Sequence, residues 1–461
     1  MDFNEINLIV KYSHAISILA KKVAEVDVID SDLYAQNNVM RGLRDKNGKG
    51  VLCGLTEISE VTSFDESNGV RTPIPGVLCY RGYNVKDLVA NCQKENRFGF
   101  EETCYLLMFG NLPNAEELAD FSNMLSDMRV LPRNFVRDVI MKSPCKDMMN
   151  MLARCVLNLY SYDPDPDNVN ISNVLRQNLQ LVAQFPLIAA YSYRVYKYYN
   201  TNDGSMYIHK PKREYSTAQN ILHILRKDNE FTDLEAKVLD TCLILHADHG
   251  GGNASTFTTH LSTSTGTDTY SSVAASLGSL KGPLHGGANI KVCQMFENIK
   301  ENLSDWSEAS VTDYVNKLLN KKAFDRSGLI YGMGHAIYTL SDPRMEVLKE
   351  YAGKLAQEKG LEEEFELYNK VSRIAGKLIS EQKHLNKPIT PNVDFYSGFV
   401  YKMLNLPQSL YTPLFAISRI AGWSAHRIEE LINGNKIIRP AYKCVQDRRD
   451  YIPLKDRKKS R

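Results

Sequence analysis

Five short segments carry residue types that move protons or grip anions. The first, HADHGGGN, places His246, Asp248 and His249 at the end of an apolar stretch and just before Gly250, Gly251 and Gly252. A helix end running into glycine lets backbone and imidazole approach a ligand closely. A neutral histidine there can donate a hydrogen bond to a substrate oxygen, the role expected of His249. His246 fits a His–Asp pair that closes the helix end. Two histidines and an aspartate within four residues also suggest a metal, but no third ligand follows at a suitable spacing. The second segment, GPLHGGAN, holds His285 between Gly282-Pro283 and Gly286-Gly287. Such a breaker-rich loop presents the ring to a cleft wall or to water.

The third segment, YGMGHAIYTLSDPR, has a flexible loop with Gly332 and Gly334, then His335, then Arg344 in the first turn of the next helix. A cation at that end opposes the helix dipole, so Arg344 is expected to have an anionic partner. The G-x-G lacks the preceding strand that a dinucleotide fingerprint needs. The fourth, PNVDFYSG, sets Asp394 among apolar and aromatic neighbours. That setting raises a carboxylate's pKa and suits a general base; the alternative is a helix N-cap. The fifth is a pair of arginines: Arg419 in FAISRIAGW and Arg439 in KIIRPAY each interrupt an apolar run. A buried arginine calls for a partner, and a carboxylate is the natural one.

Helices must position most of these groups. In FTDLEAKVLDTCLIL, Thr232 and Glu235 form a capping box, and Leu234, Val238, Cys242 and Leu245 share a face. In DPRMEVLKEYAGKLAQEKG, Asp342 is the N-cap, Pro343 opens the helix and Gly360 ends it. Apolar residues at 361, 365, 368, 371, 375 and 378 predict another helix. ASVTDYVNKLLN is expected to start at a Ser310/Asp313 cap. YSSVAASLGSL, rich in small residues, predicts a helix packed closely on a neighbour. Residues 51–64 and 76–85 are the only strand candidates. The expectation is a mainly helical protein of fifteen to twenty helices, at about 11–12 residues each, with a lobe inserted between breaks near 282–288 and 396–405 and a ligand cleft beside it.

The 461 residues include 56 Lys+Arg against 54 Asp+Glu, a net charge of +2. That balance argues against a broad nucleic-acid surface while allowing a local basic pocket. Nine scattered cysteines with no C-x-x-C pair are neither a disulfide framework nor a zinc ribbon, and they fit reduced thiols in a cytoplasmic protein. The first residues lack the basic and apolar regions of a signal peptide. No apolar run is long enough to span a membrane.

The five segments, in this order and spacing, resemble the citrate synthase family. Residues 51–85, 103–112 and 253–285 share the resemblance, which runs from about residue 45 to 445. It implies an all-α homodimer of two-domain subunits, with a large domain from 1–285 and 400–461 and a small domain from 286–399. The implied reaction condenses acetyl-CoA with oxaloacetate and hydrolyses the thioester to citrate and CoA, the entry to the tricarboxylic acid cycle. Asp394 would take the methyl proton, His285 would donate to the thioester carbonyl, and His335 would polarise the ketone and protonate the new alkoxide. His249, Arg344, Arg419 and Arg439 would hold oxaloacetate. Gly332, Gly334 and Lys387 would touch CoA; Ala336 and Thr339 stand where many relatives carry basic residues that grip it, and Lys387 with Lys383 would supply part of that charge. No metal or cofactor is required. Propionyl-CoA as donor, making the protein a 2-methylcitrate synthase, uses the same residues. A non-catalytic helical scaffold and a metal hydrolase built on H-A-D-H are the readings from other classes.

Overall fold

A computed structural model of the protein describes residues 3–44, 50–67, 70–201, 205–385, 389–434 and 436–457. The chain divides into two units, Met1–Gly54 and Leu55–Arg461. The first holds a long helix, Phe3–Val26, and a short one, Ser31–Gln36, whose N-cap Asp30 accepts from the Asp32 N–H.

The second unit is built from helices and one small sheet, and the described residues of the two units together form seventeen α-helices. Local signals set many of their ends. Thr232 and Glu235 close the capping box of Asp233–His246. Asp342 caps Pro343–Lys359, and Gly360, at φ 64°, ends it. Glu308–Leu319 starts earlier than expected, because Ser307 rather than Ser310 caps it and the Ser310 hydroxyl donates to Asp305. Successive serines give equivalent caps in sequence, and only the neighbouring acceptor separates them. Thr269–Lys281 packs on Ala254–Ser264 through small polar residues, with Thr259 and Ser276 hydroxyls 2.7 Å apart and Ser262 and Ser272 2.8 Å apart.

The central helices are Ile171–Asn200 and Tyr411–Asn433, which pack on each other; the latter also packs on Phe100–Phe109, Asp233–His246 and Ala254–Ser264. Residues 286–399 contribute Ala288–Asn302, Glu308–Leu319, Pro343–Lys359, Glu362–Gln382 and the start of Asp394–Met403, which runs on past 399. These contact one another around an aromatic cluster in which Phe296 stacks on Tyr368, and Tyr368 on Phe399. Pro343–Lys359 also packs on Asp233–His246 and on the second strand.

The sheet is antiparallel, in the order Ser59–Ser67, Val70–Tyr80, Tyr83–Asn84. The first strand therefore begins at Ser59, not at 51. The second begins at Val70, six residues before the expected 76. Pro73 and Pro75 hid that start, since proline removes a ladder donor. The chain accommodates them where the register shifts between Thr62 and Phe64. No described helix is long and apolar enough to cross a membrane, and the nine cysteines are free thiols.

Candidate active site

The small sheet ties down two of the chemistry-bearing loops. From its first strand, the Ser59 hydroxyl donates to Asp248 Oδ2 and accepts from the Gly250 N–H. From its second strand, Tyr80 Oη reaches the Ile244 and Asp248 carbonyls at 2.9 and 3.2 Å. The same strands hold the loop after His335: Ser63 Oγ donates to the Ile337 carbonyl at 2.7 Å, and the Gly76 N–H to the Ser341 carbonyl at 3.1 Å. A Cβ at Gly76 would overlap Ser341 O and the Tyr338 ring. Behind the HADHGGGN loop, Gly422 lets the Tyr411–Asn433 helix come close enough for its N–H to reach the Ala247 carbonyl at 3.2 Å.

His249 and His335 face each other edge to face, with ring centroids 5.2 Å apart. Tyr338 joins them: it stacks on His335 at 4.6 Å, and its hydroxyl lies 3.2 Å from His249 Nε2. His335 Nδ1 accepts the backbone N–H groups of Ile337 and Tyr338 at 3.1 and 3.2 Å. Those two donors assign the neutral ring's proton to Nε2. Arg344 Nη2 lies 3.5 Å from that nitrogen. The expected anionic partner of Arg344 is Asp342, which takes Nε at 3.0 Å and Nη2 at 2.7 Å. Burial would weaken the Arg344 charge, but the Asp342 carboxylate outweighs it and raises the pKa. His249 is held far below its usual range by burial first and by the Arg344 charge next. It is a neutral ring at physiological pH.

Asp394 opens the helix Asp394–Met403, and its N–H is held by Asn392 Oδ1 at 3.0 Å. The N-cap position belongs to Val393, so no capping bond consumes the Asp394 carboxylate. Burial raises its pKa to about 6; Arg344 opposes that rise and Asp342 adds to it. Asn392 also laces this segment to the histidine loop, its Nδ2 donating to Gly334 O and its N–H to Gly332 O, both at 2.8 Å. Gly332, at φ 79°, sits where a Cβ would come within 2.9 Å of Phe395 Cα, so only glycine fits. His285, partly buried, has Nε2 3.0 Å from Ser255 Oγ. Burial, then the Arg419 charge, lowers its pKa to about 4. Arg419 is buried and donates through Nε to the His246 carbonyl at 2.8 Å, while its Nη2 has no hydrogen-bond partner. Burial lowers its pKa to about 10 against the pull of Asp248 and Tyr80.

Other expectations meet a different structure. His246 does not pair with Asp248; its Nδ1 lies 2.7 Å from the Cys242 carbonyl and its ring packs on Phe415. Asp248 pairs instead with His426. Among the described residues, His246, Asp248 and His249 are not part of any three-ligand set. Arg439 is exposed rather than buried, in an irregular stretch where the neighbouring Ile438 N–H reaches Ser264. Lys387 lies outside the described residues. The residues that sequence reasoning passed over are Ser59, Ser255, Tyr338, the pairing of Asp342 with Arg344, and His426. Ser59, Ser255, Tyr338 and Asp342 stood in segments already matched to a family pattern, whereas His426 lies just beyond the FAISRIAGW segment.

Comparison with known proteins extends these observations. The family model described as "Citrate synthase, C-terminal domain" matches residues 43–441. The citrate synthase of Corynebacterium glutamicum is 33% identical over 414 residues, covering 88% of this chain and 87% of that protein. The 2-methylcitrate synthase of Shewanella oneidensis is 35% identical over 385 residues, covering 83% and 90%. The solved ternary complex of carboxymethyl coenzyme A and oxaloacetate with the citrate synthase of Thermoplasma acidophilum superposes with a TM-score of 0.74. Its identity is 28%, and the match covers 90% of this chain and 99% of that one. Fold and relatives together define the class, a mostly helical transferase that condenses an acyl group. The chain belongs to the citrate synthase family.

Proposed function

We propose that this protein is a citrate synthase, condensing acetyl-CoA with oxaloacetate and water to give citrate and CoA. The observation that carries this reading is the meeting of His249, His335 and Arg344, with the two ring centroids 5.2 Å apart and His335 Nε2 3.5 Å from Arg344 Nη2. Two imidazoles and a guanidinium gathered this closely suit the ketone and carboxylate oxygens of a small dianion. Asp394 removes a proton from the acetyl methyl group, and the resulting enolate carbon bonds to the ketone carbon of oxaloacetate. His335 passes its Nε2 proton to the new alkoxide, and water then cleaves the thioester. A base near pKa 6 is well matched to this step at neutral pH. His285 stabilises the enolate oxygen from Nδ1. This role requires the Ser255 proton to go to His285 Nε2 rather than to Asn253 Oδ1, also 3.0 Å away.

His249, Arg344 and Arg419 hold oxaloacetate; the unpartnered Arg419 Nη2 supports that assignment, since a buried cationic donor left unsatisfied is costly. The CoA contacts are assigned to Gly332, Gly334 and Lys387. Residues 286–399 act as a small domain closing on a large one made of 1–285 and 400–461. The protein works as a homodimer in which Arg439 serves the partner's site. In support, its segment leaves Ile437, Tyr442, Tyr451, Ile452 and Leu454 exposed, an apolar run that a second copy would cover. No cofactor is needed.

The test is oxaloacetate-dependent loss of thioester absorbance with acetyl-CoA and propionyl-CoA side by side. A higher kcat/KM with acetyl-CoA is expected. A higher value with propionyl-CoA gives the second reading, 2-methylcitrate synthase, the name of relatives at 35% and 32% identity. The donors differ by about one methylene, worth about 1–3 kcal/mol. Turnover with neither donor would overturn the proposal.

A further inference from the structure

A second polar cluster lies on the far side of Asp248, where Ala254–Ser264 meets the C-terminal half of Tyr411–Asn433. His260 Nε2 and His426 Nδ1 face each other at 3.1 Å, and Glu429 Oε2 lies 3.7 Å from the same His426 nitrogen. One ligand atom from each of the three residues falls within 4.8 Å of the other two. Each imidazole uses its remaining nitrogen on a carboxylate, His260 Nδ1 on Glu430 at 2.8 Å and His426 Nε2 on Asp248 at 3.3 Å. Glu429 Oε1 accepts the Glu57 N–H at 2.8 Å, while its Oε2 is buried without a hydrogen-bond partner.

The two facing nitrogens share a hydrogen bond here, and the same spacing suits a transition-metal ion that takes the place of its proton. Two imidazole nitrogens on one tetrahedral ion, each at about 2.0–2.1 Å from it, stand roughly 3.3 Å apart. The observed 3.1 Å needs an opening of only a few tenths of an ångström. Carboxylates on the outer nitrogens fix ring orientation and raise ligand basicity. The ligand set is mixed nitrogen and oxygen, which suits zinc better than calcium or magnesium. Access exists as well: His426 is fully buried, but the His260 and Glu429 side chains keep 13% and 12% of their exposure. Gly251 leaves the approach open, since a Cβ there would stand 3.5 Å from His260 Nε2 and 3.9 Å from His426 Nδ1.

We infer that His260, His426 and Glu429 bind one divalent cation of the zinc type, apart from the reaction centre and joined to it through Asp248. The ion would be structural. Asp248 immediately precedes His249 and also holds Ser59 and the Gly250 N–H, so an occupied site would pin the loop that carries His249. The inference stands independently of the acyl donor and of the reaction itself.

The experiment is equilibrium dialysis of chelator-treated full-length protein against zinc, with cobalt(II) absorption as a second measurement. One zinc per chain is expected, together with tetrahedral cobalt bands and no thiolate charge-transfer band. His260→Ala and Glu429→Gln, both at the rim, should each weaken zinc binding at least tenfold while retaining the far-ultraviolet dichroism of wild type. Glu430→Gln should weaken it about 10-fold or more through the outer shell. Cys53→Ser with Cys444→Ser, which removes the exposed thiols, should leave binding unchanged. The inference is overturned if wild type takes up no zinc, if His260→Ala and Glu429→Gln bind as wild type does, or if binding disappears with the two thiols.

Discussion

Replacing Asp394 by asparagine should abolish turnover and stabilise the fold, both for one reason. The carboxylate is pushed from its ordinary 3.8 to about 6 because burial disfavours the charged form, with Arg344 only partly compensating. In the unfolded chain the group titrates near its ordinary value. Below about pH 3 both states are protonated and the group has no effect on stability. Between about pH 4 and 6 the unfolded chain gives up its proton while the native state keeps it, so native stability falls as pH rises. Above pH 7 both states are ionised and the full penalty applies. The gap between 3.8 and about 6, at about 1.36 kcal/mol per pH unit, is about 3 kcal/mol. Asn is nearly isosteric and uncharged, so Asp394→Asn should gain up to about 3 kcal/mol at pH 8 and only about 0.5 kcal/mol at pH 4. Thermal unfolding of both proteins across that range reads the difference as a few degrees in Tm at high pH. Loss of the base should cut kcat by about 10²–10⁴-fold, and in wild type kcat should fall to half at about pH 6. A variant no more stable than wild type at pH 8, or a gain that does not grow between pH 5 and 8, would refute the reasoning.

Ser255→Ala removes the hydroxyl 3.0 Å from His285 Nε2 and should lower kcat by about tenfold or more while leaving the oxaloacetate KM in place; steady-state kinetics that move KM alone would reassign the pair. Gly422→Ala puts a Cβ onto Asp248 Oδ1 and the Ala247 carbonyl, and overpacking of this kind costs about 1–3 kcal/mol. It should lower Tm and oxaloacetate affinity together, whereas Gly278→Ala, with nothing within 4 Å, should change neither. Asp394→Ala and Arg439→Ala chains should each be nearly inactive alone. Dissociated and reassociated at random, they should form mixed dimers in about half of cases and recover about a quarter of wild-type activity; proven mixed dimers without recovery would place Arg439 in its own chain's site.

The helices and the chemical vocabulary of the site were legible in the sequence because both are local. Capping boxes, N-caps and C-terminal glycines act over three or four residues, and Thr232 with Glu235, or Asp342 with Gly360, behave as their spacing says. The histidines, arginines and Asp394 stood out because breakers or apolar neighbours surrounded them. Where the sequence misled, the deciding partner lay elsewhere in the chain. Pro73 and Pro75 masked a strand that a register shift accommodates. Arg439 looked buried and is exposed, and His246 turned from Asp248 to the Cys242 carbonyl. The pairs that position the loops join residues far apart, 189 positions for Ser59 and Asp248 and 166 for His260 and His426. No local pattern encodes such contacts, because they form only when helices and sheet pack. The same packing decides the charge states: burial, set by distant residues, leaves Asp394 titrating near 6 and His285 near 4. The sequence by itself therefore determined which side chains are available for chemistry and which elements carry them. Tertiary structure alone decided which of them meet, which way their protons point, and how much water each one keeps.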